Sequence, residues 1–113
     1  MIAKINWEEF GFRKDYDEKN RIVKQEYVTH DNKRYWVSTV DLGLNHRFGE
    51  GNPLYYETMI FGVKDDDDID YVNLYCARYE TREEAQKEHD EIIKLINENK
   101  MELKNGYFEK VKD

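Results

Sequence analysis

Three histidines, one cysteine and a run of aspartates are the residues of this chain whose types could do chemistry. His46 stands in a loop that follows a strand-like run, with Asn45, Arg47 and Glu50 close by in sequence. If the runs on either side of that loop pair as an antiparallel hairpin with Thr39 opposite Glu57, then Thr39, Asp41 and Glu57 project from one face near it. An imidazole with two carboxylates suits general acid–base work or a metal ion. His46, Asp41 and Glu57 are therefore the candidate catalytic group. The plainer reading is that His46 and Asn45 bond loop carbonyls while Glu57 pairs with Arg47 or Arg78. No nucleophile with an oriented base accompanies them, so a covalent mechanism has no sequence signature.

The other candidates lead away from catalysis. His89 lies on an apolar stripe between Ala85 and Ile93, the place of a core-edge histidine bonded to backbone. His30 falls in a turn, where solvation is expected. No histidine has metal-ligand spacing to another histidine or to Cys76, and one cysteine makes neither an internal disulfide nor a Cys-rich metal site. No metal and no cofactor are expected. Counted from Asp65, the sixth residue is Asp70 and the twelfth is Cys76, so the run lacks the glycine and glutamate of a calcium loop. It reads either as a solvated turn or as an acidic knob for a basic partner, including mimicry of a phosphate backbone. More acids follow at Glu83, Glu84, Glu88, Asp90 and Glu91. Asp65, Asp66, Asp67, Asp68 and Asp70, with Tyr71 and Tyr75 next to them, form the candidate partner-binding surface. The loop Gly43–Pro53 has three glycines but no Lys-Ser/Thr pair, so it is not a phosphate loop; its glycines permit a tight turn that positions Phe48.

The elements that must position these residues follow from periodicity. Residues 1–20 read as an arm bearing Trp7, Phe10, Phe12 and Tyr16. Residues 21–79 read as antiparallel strands: Arg21–His30, a turn at Asp31-Asn32, Tyr35–Leu42, then Leu54–Gly62 and Tyr71–Tyr79. In the hairpin register assumed above, Trp36, Val40, Leu42, Leu54, Tyr56 and Ile60 share the more apolar face. Alternation also places Val72, Leu74 and Cys76 on one face of the strand 71–79, with Tyr71, Tyr75 and Tyr79 as a row on the other. Thr81 with Glu84 is a capping box opening a helix over 81–99, whose buried face is Ala85, His89, Ile92, Ile93 and Ile96. Residues 103–111 can add a last strand, with a turn at Asn105-Gly106. The expected fold is α+β: an antiparallel sheet of three to five strands with one helix of the C-terminal half packed on one face.

At 113 residues the chain has the size of a single domain. Its hydrophobic share of 39% is low and its charged share of 38% is high. An aromatic share of 14% argues against disorder. The net charge of −7 argues against direct nucleic-acid binding, which needs a basic footprint, and lowers the standing of the tyrosine row as a base-stacking platform. No apolar run approaches the roughly 20 residues of a membrane span. The start, Met1 to Lys4, lacks the pattern of a secretory leader, so a reducing cytoplasm is the expected compartment. Twelve lysines to six arginines, with frequent Asn, Ile and Tyr, fit the codons of an AT-rich bacterium or its phage.

The run from Tyr35 to Gly49, YWVSTVDLGLNHRFG, resembles a motif of a family of small proteins encoded by phages and prophages. The resemblance continues in Pro53-Leu54 and in Tyr56 to Gly62, resumes at Arg78 to Thr81, Glu84-Ala85 and His89, and spans about half the chain. The sequence departs from the motif at Asp41, where an aromatic is usual, and at Asn45, where an aspartate is usual. The resemblance implies a mobile-element setting and no particular reaction. Two functions are expected from all this. The first is a non-enzymatic interaction module that binds a host or phage protein, for instance to antagonise a bacterial defence protein. The second is a small enzyme or metal-dependent binder centred on His46, Asp41 and Glu57. Oligomeric state is open, a homodimer included.

Overall fold

The computed structural model describes residues 13–47 and 49–112. The aromatic arm at Trp7, Phe10 and Phe12, and the placing of Phe48, lie outside the described residues. Four strands form one antiparallel sheet in the order β1-β2-β3-β4: β1 Ile22–His30, β2 Lys33–Asp41, β3 Tyr56–Val63 and β4 Ile69–Tyr79. One helix, α1 (Arg82–Asn97), follows, and then a second, two-stranded sheet of β5 (Met101–Lys104) and β6 (Tyr107–Lys110). The fold is α+β. Among the described residues no helix is long and apolar enough to cross a membrane.

Local chemistry explains the element ends. Asp31 and Asn32, at φ 52° and 65°, close the β1–β2 hairpin with the paired left-handed residues that match strand twist. Thr81 caps α1 by accepting from the Glu84 N–H at 3.1 Å. The helix stops two residues before the expected Asn99. Asn99 takes φ 57°, its N–H donates to Ile96 O, and that of Lys100 donates to Leu95 O at 2.7 Å, a left-handed C-terminal cap. The expected last strand at 103–111 is instead part of a hairpin that begins at Met101, because Asn105 and Gly106 (φ 55° and 77°) turn the chain between β5 and β6.

The register of β2 on β3 corrects the assumed one. Thr39 stands opposite Thr58, Val40 opposite Glu57 and Asp41 opposite Tyr56. A one-residue slip moves a whole strand's side chains to the other face. Tyr56 and Ile60 face α1 as expected, but from β2 it is Tyr35, Val37, Thr39 and Asp41 that do so. Trp36 stands half-buried on the outer face, its ring 4.6 Å from that of Tyr27. Thr39 and Asp41 tolerate burial because both are fully bonded, as described below.

The core joins Val28, Tyr35, Val37 and Ile60 of the sheet to Ile92 and Ile96 of α1 and to Met101 and Phe108 of the C-terminal hairpin. Phe108 meets Tyr35 edge-on, with centroids 4.9 Å apart. Ala85 packs with Tyr56 and Tyr79 in a second cluster. Irregular pairing at Ile60, Phe61 and Gly62 breaks the alternation of β4. The tyrosine row is split as a result. Tyr79 is buried and Tyr75 packs on the core beside Tyr107, whereas Tyr71 leans on Phe61, the neighbour of Trp36 on the outer face. Leu74 also packs on the core, apart from Cys76, which meets Glu57.

Candidate functional site

The structure does not bring His46, Asp41 and Glu57 together. Asp41 lies on the helix side of β2, and its carboxylate receives both Nη1 (3.1 Å) and Nη2 of Arg13. The Gly43 N–H adds a third bond at 2.9 Å. The Arg13 guanidinium also lies over the rings of Tyr55 and Tyr56, 5.1 and 5.4 Å from their centroids. This cluster ties the segment before β1 to the sheet. Glu57, one register position over, lies on the outer side of the sheet. It accepts from Arg78 Nε at 3.0 Å and from the Cys76 thiol at 3.6 Å. Burial pushes the Cys76 thiol up, and the Glu57 carboxylate adds to that, so the sulfur is a protonated, poorly reactive group.

His46 bonds within its own loop. A carbonyl can only accept, so Nδ1 carries the proton and donates to Leu44 O at 2.8 Å. Asn45 Oδ1 accepts from the N–H groups of Arg47 (2.9 Å) and Leu54 (3.0 Å), which pins the two sides of the loop.

The candidate partner surface is brought together in part. Asp65, Asp66, Asp67 and Asp68 are exposed in the β3–β4 turn, which closes through Lys64 N–H on Asp68 O and Asp67 N–H on Lys64 O. Asp67 pairs with Arg34 across the end of the sheet. Asp70 is half-buried and accepts from the Val72 N–H at 3.3 Å. Tyr71 and Val72, immediately after it, are 75% and 61% exposed. Tyr75 does not join them, since it packs on the core.

One constellation has no local sequence signature. His89 is fully buried, but its partners are side chains rather than backbone. Its Nε2 meets Glu26 Oε2 at 2.8 Å and its Nδ1 meets Thr39 Oγ1 at 2.6 Å. Thr39 Oγ1 in turn meets Thr58 Oγ1 at 2.5 Å. In the His89 tautomer that carries its proton on Nε2, the directions are set. Thr58 donates to Thr39, Thr39 donates to Nδ1, and the Nε2–H donates to Glu26. A hydroxyl, an imidazole and a carboxylate in this order form a nucleophile–base–orienter set. Thr39 has no exposed surface at all, so its hydroxyl cannot meet a substrate, and the set binds α1 to β1, β2 and β3 instead. The stripe position of His89 was the signal. Its partners lie 50 and 63 residues away, beyond any local spacing rule.

Glu26, His89 and Asp90 are the group among the described residues whose donor atoms gather as metal ligands do, all within 4.8 Å of one another. Lys24 Nζ stands 2.7 Å from Asp90 Oδ1 and 3.6 Å from Glu26 Oε2. No family model matches the chain, and it has no significant match among curated proteins or solved structures.

Proposed function

We propose that this protein is a non-enzymatic interaction module that docks a basic segment of a host or phage protein at the β3–β4 end of its sheet. The observation that carries the reading is the pairing of an exposed apolar step, Tyr71 and Val72, with the exposed acids Asp65 to Asp68 beside it. Acids at the rim speed encounter with a cationic partner and select for it. A tyrosine supplies large contact area with little rotamer entropy to lose. The side chains best suited to chemistry are engaged elsewhere: Asp41 by Arg13, Glu57 by Arg78, His89 by Thr39 and Glu26. A phage or prophage setting, with a bacterial defence protein as one form of partner, follows from the resemblance of the Tyr35–Gly49 motif.

The test is comparative capture from a bacterial lysate at low and high salt, using the wild type and the variant Tyr71→Ser/Val72→Ser. The expected result is a protein held by the wild type at low salt, weakened by salt and lost with the variant. Equal capture by a folded variant contradicts the proposed surface.

A further inference from the structure

We propose that Glu26, His89 and Asp90 form a latent site for a divalent cation of the zinc class, occupied by the Lys24 ammonium until metal displaces it. The donor set is the first argument. One imidazole and two carboxylates suit zinc and its neighbours, whereas calcium and magnesium take oxygen alone. His89 Nε2 and Glu26 Oε2 are 2.8 Å apart, a separation that two ligands on one ion reach with small shifts when the bonds are about 2.0–2.2 Å. Glu26 and Asp90 keep side-chain exposures of 32% and 51%, so a water can complete the coordination.

The surroundings of the ring are the second argument. A metal-bound histidine normally donates its other ring N–H to a fixed acceptor, which sets its tautomer and aim. Thr39 Oγ1 stands at that place, 2.6 Å from Nδ1. Coordination at Nε2 transfers the ring proton to Nδ1, and no proton is gained or lost by the ring. Thr39 then accepts where it now donates, and turns its own hydroxyl hydrogen toward Thr58 Oγ1. The threonine pair can run in either direction, so the Thr39 hydroxyl can follow the change of tautomer.

The third argument is the charge already present. The Lys24 ammonium binds Asp90 and Glu26, and so marks a cation position these two carboxylates accept. Lys24 sits on a flexible stem and is 43% exposed, so it can swing into water when an ion enters. Competition from this built-in cation makes the wild-type site weak.

The test uses the full chain, with cobalt(II) as the optical probe and zinc(II) for nitrogen-shift NMR of His89. Lys24→Ala is expected to tighten cobalt binding at least about tenfold, and Asp90→Asn in that background to weaken it by about 10–100-fold. Zinc is expected to move the His89 proton from Nε2 to Nδ1. Substitution of His89 itself is avoided because the ring is in the core. The proposal is overturned if a Lys24→Ala chain with a cooperative melt binds neither ion at about 1 mM. It is equally overturned if Asp90→Asn leaves affinity unchanged, or if the ring proton stays on Nε2 with zinc bound.

Discussion

Thr39 and His89 share a 2.6 Å hydrogen bond across the sheet–helix interface, and neither side chain has exposed surface. That bond puts polar groups in the middle of the layer where apolar packing is the default. It is tolerated because Glu26 and Thr58 complete the partners on either side.

Replacing Thr39 by valine keeps the volume and removes the hydroxyl, leaving His89 Nδ1 and Thr58 without their partner. The expected cost is about 1–3 kcal/mol in urea unfolding, the range for an unsatisfied buried polar group. A change near zero would mean that the chain adds nothing to the docking of α1.

The two faces of the sheet can be told apart by truncation. Phe108, with no exposed surface, is expected to cost about 3–5 kcal/mol on change to alanine. Trp36, half-buried on the outer face, is expected to cost about 1–2 kcal/mol, nearer the ordinary substitution range. Equal losses would contradict the observed β2 register.

Strands and helix were legible because their signals are local. β-branched and aromatic runs mark β1 to β4, and Thr81 with Glu84 marks the start of α1. The face of β2 was not, because Thr39 and Asp41 look solvent-seeking until Thr58, His89 and Arg13 are known to meet them. The split of Tyr71 from Tyr75 depends on irregular pairing with β3, which a period-two pattern cannot register. Asn105-Gly106 marks a turn by residue type alone, but the separate hairpin whose Phe108 completes the core depends on long-range packing that no local pattern encodes.

High pH should weaken the fold through Tyr79. Burial pushes its hydroxyl up from the ordinary tyrosine value of about 10 to about 12. Between these values the unfolded chain gives up the proton while the folded chain keeps it. Stability is therefore fully present below about pH 10, falls as pH rises toward 12, and levels off beyond. Tyr79→Phe is expected to flatten that fall, with tyrosinate absorbance and denaturant melts as the readouts. An unchanged slope in the variant would assign the loss to other groups.

Gly43 takes φ 68°, and a Cβ built there would come within 2.5 Å of the Tyr16 ring. Gly43→Ala is thus expected to cost more than the roughly 1 kcal/mol of the backbone term alone, because Tyr16 must also move. In Tyr16→Ala the added cost of Gly43→Ala should shrink. A strictly additive double-mutant cycle would show that the ring does not press on this turn.

The most direct test of the interaction surface is site-specific photo-crosslinking in host lysate, with the reactive group placed at position 71 or, as control, at exposed position 94 on α1. The account predicts a discrete protein adduct from position 71 that fades with added salt and is absent from position 94. No adduct at 71, or the same adducts from both positions, would contradict it.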